Sequence, residues 1–170
     1  MISYVISLLS LVSCCSNHNS PPTCFISFIR HSVILIFRCL ILLLGVIIRT
    51  KGVQASRADA PVLVAAPHST ILDWVLISLT RSCPVAKYEL STLPVLGTIG
   101  KVLLTVFINR ESDEAKAKTK ELLKQRSSEP GWPQLMIFPE GTVTNGKTLV
   151  MFKTGAFTGG QPVQPVSIQR

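Results

Sequence analysis

Acidic residues are scarce in this chain and absent from its first third. No Asp or Glu precedes Asp59, while Arg30, Arg38, Arg49, Lys51 and Arg57 all fall in that stretch. Only 15% of the 170 residues are charged, against roughly 25% in a typical soluble domain, and the balance is +8. Aromatics are few as well, at 6%, and the basic residues do not interleave with them in a patch, which argues against a nucleic-acid surface. Phosphorylated small molecules and anionic headgroups fit the same charge. Three histidines with no paired ligand spacing leave no zinc motif. The five cysteines are odd in number. Cys14, Cys15, Cys24 and Cys39 lie in the first third, so the remainder, with Cys83 alone, has no disulfide framework.

Apolar residues are what the chain has in plenty: 47% of positions, and a mean hydropathy of +0.43. A chain of this length holds one core, or one core plus an anchor. Residues 1–24 read as a leader. It has an apolar run over 5–15 too short to span a bilayer, then a polar break in which Pro21 and Pro22 forbid helix continuation. The run lacks the basic start and the small-residue cleavage site of a secretory signal. Residues 25–49 read as a membrane-associated helix, broken by Arg30, His31, Ser32 and Arg38. The 17 residues from Ser32 to Ile48 stand at the lower limit for a span. A central Arg costs about 2.5–3.5 kcal/mol on insertion scales, so a helix lying in one leaflet competes with one that crosses. Arg49, Lys51 and Arg57 follow directly, which places the downstream domain on the cytoplasmic side.

From Pro61 short apolar runs alternate with helical patterns, the signature of an α/β domain. We expect strands at 61–66, 85–88, 106–109, 134–138 and 163–168, and helices at 71–79, 94–104 and 112–125. They would form a mixed sheet flanked by helices, in a domain covering 50–170. Ser112 is placed to cap the last helix, with Asp113 and Glu114 in its first turn.

Three strand ends carry residues with chemistry. His68 follows the first strand, and Asp73 stands five residues on. In a regular helix two such side chains point about 140° apart. They meet only if His68 sits in the strand-to-helix turn and Asp73 in the first helical turn. There the carboxylate would fix the imidazole tautomer and raise its basicity; the plainer alternative is a capping histidine and a solvated aspartate. Arg110 ends another strand and suits a phosphate or carboxylate, or else pairs on the surface with Glu111 or Glu114. Glu140, Gly141 and Thr142 follow a buried strand and Pro139, where α/β folds place ligand contacts; Pro and Gly there would equally make a plain turn. Gly141–Thr148, GTVTNGKT, also matches the phosphate-binding pattern G-x-x-x-x-G-K-[ST]. Glycines soon break what should be a helix, and no Asp follows to hold magnesium. A P-loop nucleotide-binding protein is therefore a remote alternative. No G-x-S-x-G elbow is present.

Together these pieces resemble the glycerolipid acyltransferases, which acylate glycerol-3-phosphate and lysophospholipids from acyl-CoA. Four blocks in order across roughly residues 50–168 carry the resemblance. They are His68-x-x-x-x-Asp73; Phe107 and Arg110 in FINR; Phe138–Thr142, FPEGT; and Pro162, Val163, Pro165 and Val166 in PVQPV. In the second block the family's glycine usually lies five before the Phe, whereas Gly100 lies seven before and is not carried over. VLVAAPHST, KTGAF and VQPV resemble the lysophosphatidylcholine acyltransferase branch and its lysophosphatidylethanolamine relatives, with Val143 where that branch often has cysteine.

The resemblance implies an acyl-CoA-dependent O-acyltransferase of phospholipid synthesis and remodelling, acting on lysophosphatidylcholine or lysophosphatidylethanolamine. Its partners would be acyl-CoA as co-substrate, the lysophospholipid and the bilayer, by family habit that of the endoplasmic reticulum; no cofactor, metal or nucleic acid is implied. His68, oriented by Asp73, would take the proton from the glycerol hydroxyl and later protonate the departing thiolate. Backbone N–H groups near the first block would stabilise the oxyanion. Arg110, Glu140, Gly141 and Thr142 would bind the acceptor's phosphate and glycerol region, with Glu140 contacting the hydroxyl or orienting Arg110. Family members usually continue past the fourth block, so we expect a domain shortened at its carboxy-terminal end. The alternative is a catalytically inactive relative that keeps the fold and binds lipid or a partner.

Overall fold

Pro21 and Pro22 cannot continue a helix, and the hydroxyl of Thr23 accepts the Ile26 N–H at 3.4 Å, so the first helix, α1, begins at Cys24 and runs to Leu43. Gly45, with φ +74°, ends it, short of the expected 25–49. This is a computed structural model that describes residues 20–110, 112–145 and 150–169; the apolar run at 5–15 lies outside them. Ile26, Arg30, Ile34 and Ile41 form the buried face of α1. Phe25, Phe28, Leu35, Ile36, Leu42 and Leu43 are exposed on the rest. Among the described residues, α1 alone is long and apolar enough to cross a membrane.

Five strands follow: β1 (Val62–Ala66), β2 (Cys83–Lys87), β3 (Val106–Ile108), β4 (Leu135–Ile137) and β5 (Val163–Ser167). They form one sheet in the order β3-β2-β4-β1-β5, and each neighbouring pair is parallel. The expected α/β class and the apolar amino-terminal helix hold, but the sheet is parallel rather than mixed. Crossovers impose that direction, because each returns the chain to the same edge before the next strand. A 3-10 turn (Ile71–Trp74) and α2 (Val75–Thr80) link β1 to β2; a second turn (Tyr88–Thr92) and α3 (Pro94–Val102) link β2 to β3. The helix α4 (Asp113–Ser128) links β3 to β4, and its cap is the expected one, with the Ser112 hydroxyl accepting the Ala115 N–H at 3.1 Å. β2 starts two residues before its expected limit and gives up Tyr88 to the 3-10 turn.

The apolar run of β1 suits its place between β4 and β5, where both faces are covered. Val62, Val64, Leu135 and Ile137 pack with Leu123 of α4 and Trp132. Leu63, Ala65 and Met136 point the other way, against Leu76 of α2 and Val166. Pro165 cannot donate to a ladder and is tolerated because β5 is an edge strand. Ile34 of α1 joins Ile77 of α2 and Leu103 in a smaller cluster, so α1 lies against the domain.

Two buried arginines, Arg30 and Arg126, and the half-buried Arg57 tie the periphery to this core, Arg30 and Arg57 through main-chain carbonyls. Arg30 of α1 donates to the carbonyls of Arg81 and, at 2.9 Å, Ser82. Arg57 donates to those of Arg126 (2.8 Å), Glu129 (2.7 Å) and Pro133 (3.1 Å), closing the end of α4. The Arg126 guanidinium lies 3.4 Å over the Trp132 ring, and burial lowers its pKa to about 10. Cys83, beside them, is fully buried, and desolvation pushes its thiol up despite the nearby cations.

Candidate active site

In a parallel sheet the strand ends that point the same way gather on one edge, and ligands of α/β folds bind beyond the carboxyl ends. His68 follows β1, Arg110 follows β3 and Glu140 follows β4, so the three blocks meet on that edge. His68 occupies the turn after β1, and Asp73 the 3-10 turn at Ile71–Trp74. Their side chains meet, with Nδ1 of His68 2.9 Å from Oδ2 of Asp73. A carboxylate only accepts, so Nδ1 carries the hydrogen, and in the neutral imidazole Nε2 keeps its lone pair. The same Oδ2 also accepts the N–H groups of Ser69 (2.8 Å) and Thr70 (3.1 Å), which fixes a carboxylate that is 4% exposed. The imidazole stacks on Phe138, the residue after β4, with ring centroids 4.1 Å apart.

Glu140 stands beneath this pair. It is 5% exposed; its Oε1 accepts the His68 N–H at 2.8 Å and its Oε2 accepts the Thr144 hydroxyl at 3.2 Å. The Thr144 N–H in turn donates to the His68 carbonyl at 2.8 Å. The 140–144 turn thus grips the main chain of His68 on both sides. The described ion pairs are His68–Asp73 and Lys116–Asp113, so Glu140 does not orient Arg110 through one. Thr144 is a residue that sequence reasoning missed; its only mark was a place two positions beyond Thr142.

The N–H groups of His68, Ser69 and Thr70 all donate to carboxylates, those of Glu140 and Asp73. These three N–H groups are committed, so the expected oxyanion donors near the first block would be others than those of residues 68–70.

Arg110 is exposed and meets Gly141, where φ is +67°. A Cβ built there would lie 3.3 Å from Nη2 of Arg110. Thr142 is exposed on the same turn. A cleft of about 290 Å³ opens between the ends of β2 and β3, lined by Lys87, Tyr88, Glu89, Ile108, Asn109 and Arg110. The last three residues of the GTVTNGKT loop, including Lys147 and Thr148, fall within 146–149, outside the described residues. After it the described chain carries no α-helix, only the 3-10 turn Thr154–Phe157, so the context a phosphate-binding loop needs is missing among the described residues.

The acyltransferase family model matches residues 47–169. The chain belongs to the acyltransferase family. The chain is 45% identical over 123 residues to lysophosphatidylcholine acyltransferase 1 of Danio rerio, covering 72% of the chain and 24% of that protein. To lysophospholipid acyltransferase LPCAT4 of Mus musculus it is 41% identical over 143 residues, 82% of the chain and 27% of the relative. Lysophosphatidylcholine acyltransferase 2 of Homo sapiens matches over 99% of the chain at 34% identity, covering 32% of that protein. The chain thus spans between about a quarter and a third of the length of these relatives. They stand in the lysophospholipid branch that the VLVAAPHST and VQPV segments resemble. No solved structure matches it.

Proposed function

We propose that the chain transfers an acyl group from acyl-CoA to the free glycerol hydroxyl of a lysophospholipid at a membrane surface. The observation that carries this reading is the His68–Asp73 pair, an imidazole held through Nδ1 at 2.9 Å by a buried carboxylate. Nε2 takes the hydroxyl proton as the alcohol oxygen attacks the thioester carbonyl carbon. Collapse of the tetrahedral adduct breaks the C–S bond, and the imidazolium returns its proton to the thiolate. Phospholipid and CoA are the products, and no bond to the enzyme forms. Asp73 stays ionised throughout and stabilises the imidazolium. The oxyanion is met by donors outside residues 68–70, whose N–H groups are committed.

The names of the relatives support lysophosphatidylcholine or a related lysophospholipid as acceptor. Membrane attachment is supported by the exposed apolar side of α1, and the burial of Ile26, Arg30, Ile34 and Ile41 against the domain favours a helix lying in one leaflet. We place the site on the cytoplasmic side of the endoplasmic reticulum, with Arg49 and Lys51 exposed beside the helix. Arg57 follows them in sequence and is half-buried, bound to the carbonyls at the end of α4.

The test is acyl transfer by membranes expressing the chain, with labelled acyl-CoA, a panel of lysophospholipids and His68→Ala as the blank. Transfer above the blank is expected. A well-expressed, membrane-bound chain that transfers no more than His68→Ala would overturn the reading.

A further inference from the structure

We infer that Lys153, together with Arg110, holds a phosphate group of the substrate above Gly141. This deepens the proposed function and rests on it. Lys153 lies outside the four blocks, but its main chain is pinned to the third, with its N–H donating to the Pro139 carbonyl at 2.8 Å. A Cβ on Gly141 would stand 3.2 Å from Cδ and 3.3 Å from Cε of Lys153, and 3.3 Å from Nη2 of Arg110. Two cationic side chains from distant segments therefore converge over one residue, and the missing β-carbon makes their room.

Neither cation has a carboxylate partner among the described residues, where the ion pairs are His68–Asp73 and Lys116–Asp113. The carboxylate next in sequence, Glu140, has one oxygen on the His68 N–H and the other on the Thr144 hydroxyl. Both cations are exposed, and Arg110 also lines the cleft between β2 and β3. Like charges held side by side repel, and an anion between them reverses the sign of that interaction. A phosphate fits: the planar guanidinium binds two of its oxygens as a fork, and the ammonium binds as a point charge.

The position connects this site to the reaction. Glu140 holds the His68 main chain, and the next residue, Gly141, lies under the two cations. A phosphate seated there brings chemistry a few bonds away to the imidazole. In a lysophospholipid, the phosphate and the free hydroxyl share one glycerol. The other source is the CoA half of the donor, which also carries phosphates.

The experiment measures KM for lysophospholipid and for acyl-CoA separately in Lys153→Ala and Lys153→Arg, using the 170-residue chain in membranes. Loss of one charge-assisted contact predicts a rise of roughly tenfold in one KM, with kcat within about twofold and the Arg variant restoring most of it. A rise in the acceptor KM assigns the phosphate to the lysophospholipid, and a rise in the acyl-CoA KM assigns it to CoA. If both KM values are unchanged while the parent chain is active, the clamp does not exist and the proposed function stands. Equilibrium binding of a water-soluble lysophosphatidylcholine and of CoA to the His68→Ala chain, with and without Lys153→Ala, reads the same contact without turnover. There, equal affinities in the two proteins for both ligands overturn the inference even if transfer is never observed.

Discussion

Glu140 holds His68 by the main chain: its Oε1 accepts the His68 N–H at 2.8 Å across 72 positions of sequence. A buried carboxylate used in this way sets where the imidazole stands, so its removal should act first on the rate. Glu140→Ala should therefore lower kcat by about 10- to 100-fold, since displacements near 1 Å cost on that order, while the acceptor KM stays within about twofold. Glu140→Gln keeps an acceptor oxygen and should recover most of the rate. Steady-state kinetics separate the cases, and an acceptor KM that rises at unchanged kcat would return Glu140 to the substrate.

Asp73 has two jobs that different substitutions separate. Asp73→Asn retains an oxygen for the Ser69 and Thr70 N–H groups but loses the charge that stabilises an imidazolium. We expect a folded protein with transfer reduced by about 10²–10⁴-fold. Asp73→Ala also leaves two N–H groups without an acceptor, at about 1–3 kcal/mol for each that is buried, so its Tm should fall below that of the Asn variant. Near-parental transfer by Asp73→Asn would remove the pair from the mechanism.

Arg30→Leu tests what keeps α1 on the domain. The substitution raises the helix's apolarity yet leaves the carbonyls of Arg81 and Ser82 without their guanidinium. Each bond to a charged donor contributes about 1.5–3 kcal/mol. In detergent the variant should melt earlier and be cut faster by protease between Gly45 and Asp59, while Arg38→Leu, a half-buried control, changes little. Equal cleavage rates for the two variants would show that α1 is held by its isoleucines alone.

Cys83 offers a probe of the core. It is 1% exposed and desolvation raises its pKa, so alkylation at mildly alkaline pH should leave it unmodified in the folded protein. The exposed Cys24 and Cys39 should react first in detergent. Mass spectrometry of the labelled peptides reads this directly, and early labelling of Cys83 would mean that β2 opens.

The dyad was legible because two residues five apart have one way to meet, across a strand-to-helix turn, and the apolar run before His68 announced the strand. The cap at Ser112 was legible for the same local reason. What the sequence did not disclose depends on distant main chain. Glu140 bonds an N–H, and a main-chain partner leaves no residue type to recognise. Arg38 drew attention by its central place in the apolar run, yet Arg30 is the buried arginine, sharing a face with Ile26 and Ile34 at spacings of four. The direction of β5 was hidden too, because the 25 residues between β4 and β5 carry no α-helix among those described to mark a crossover.

The strand order has a consequence for how the chain emerges during synthesis. β4 inserts between β1 and β2, so the strand that precedes His68 meets its neighbours only after residue 137 has been made. Until then β2 and β3 can pair with each other, while His68 and Asp73 sit beside a strand that has no ladder. A ribosome that stalls anywhere within α4 leaves a chain that already contains the whole first block but lacks the sheet edge that would make it a site.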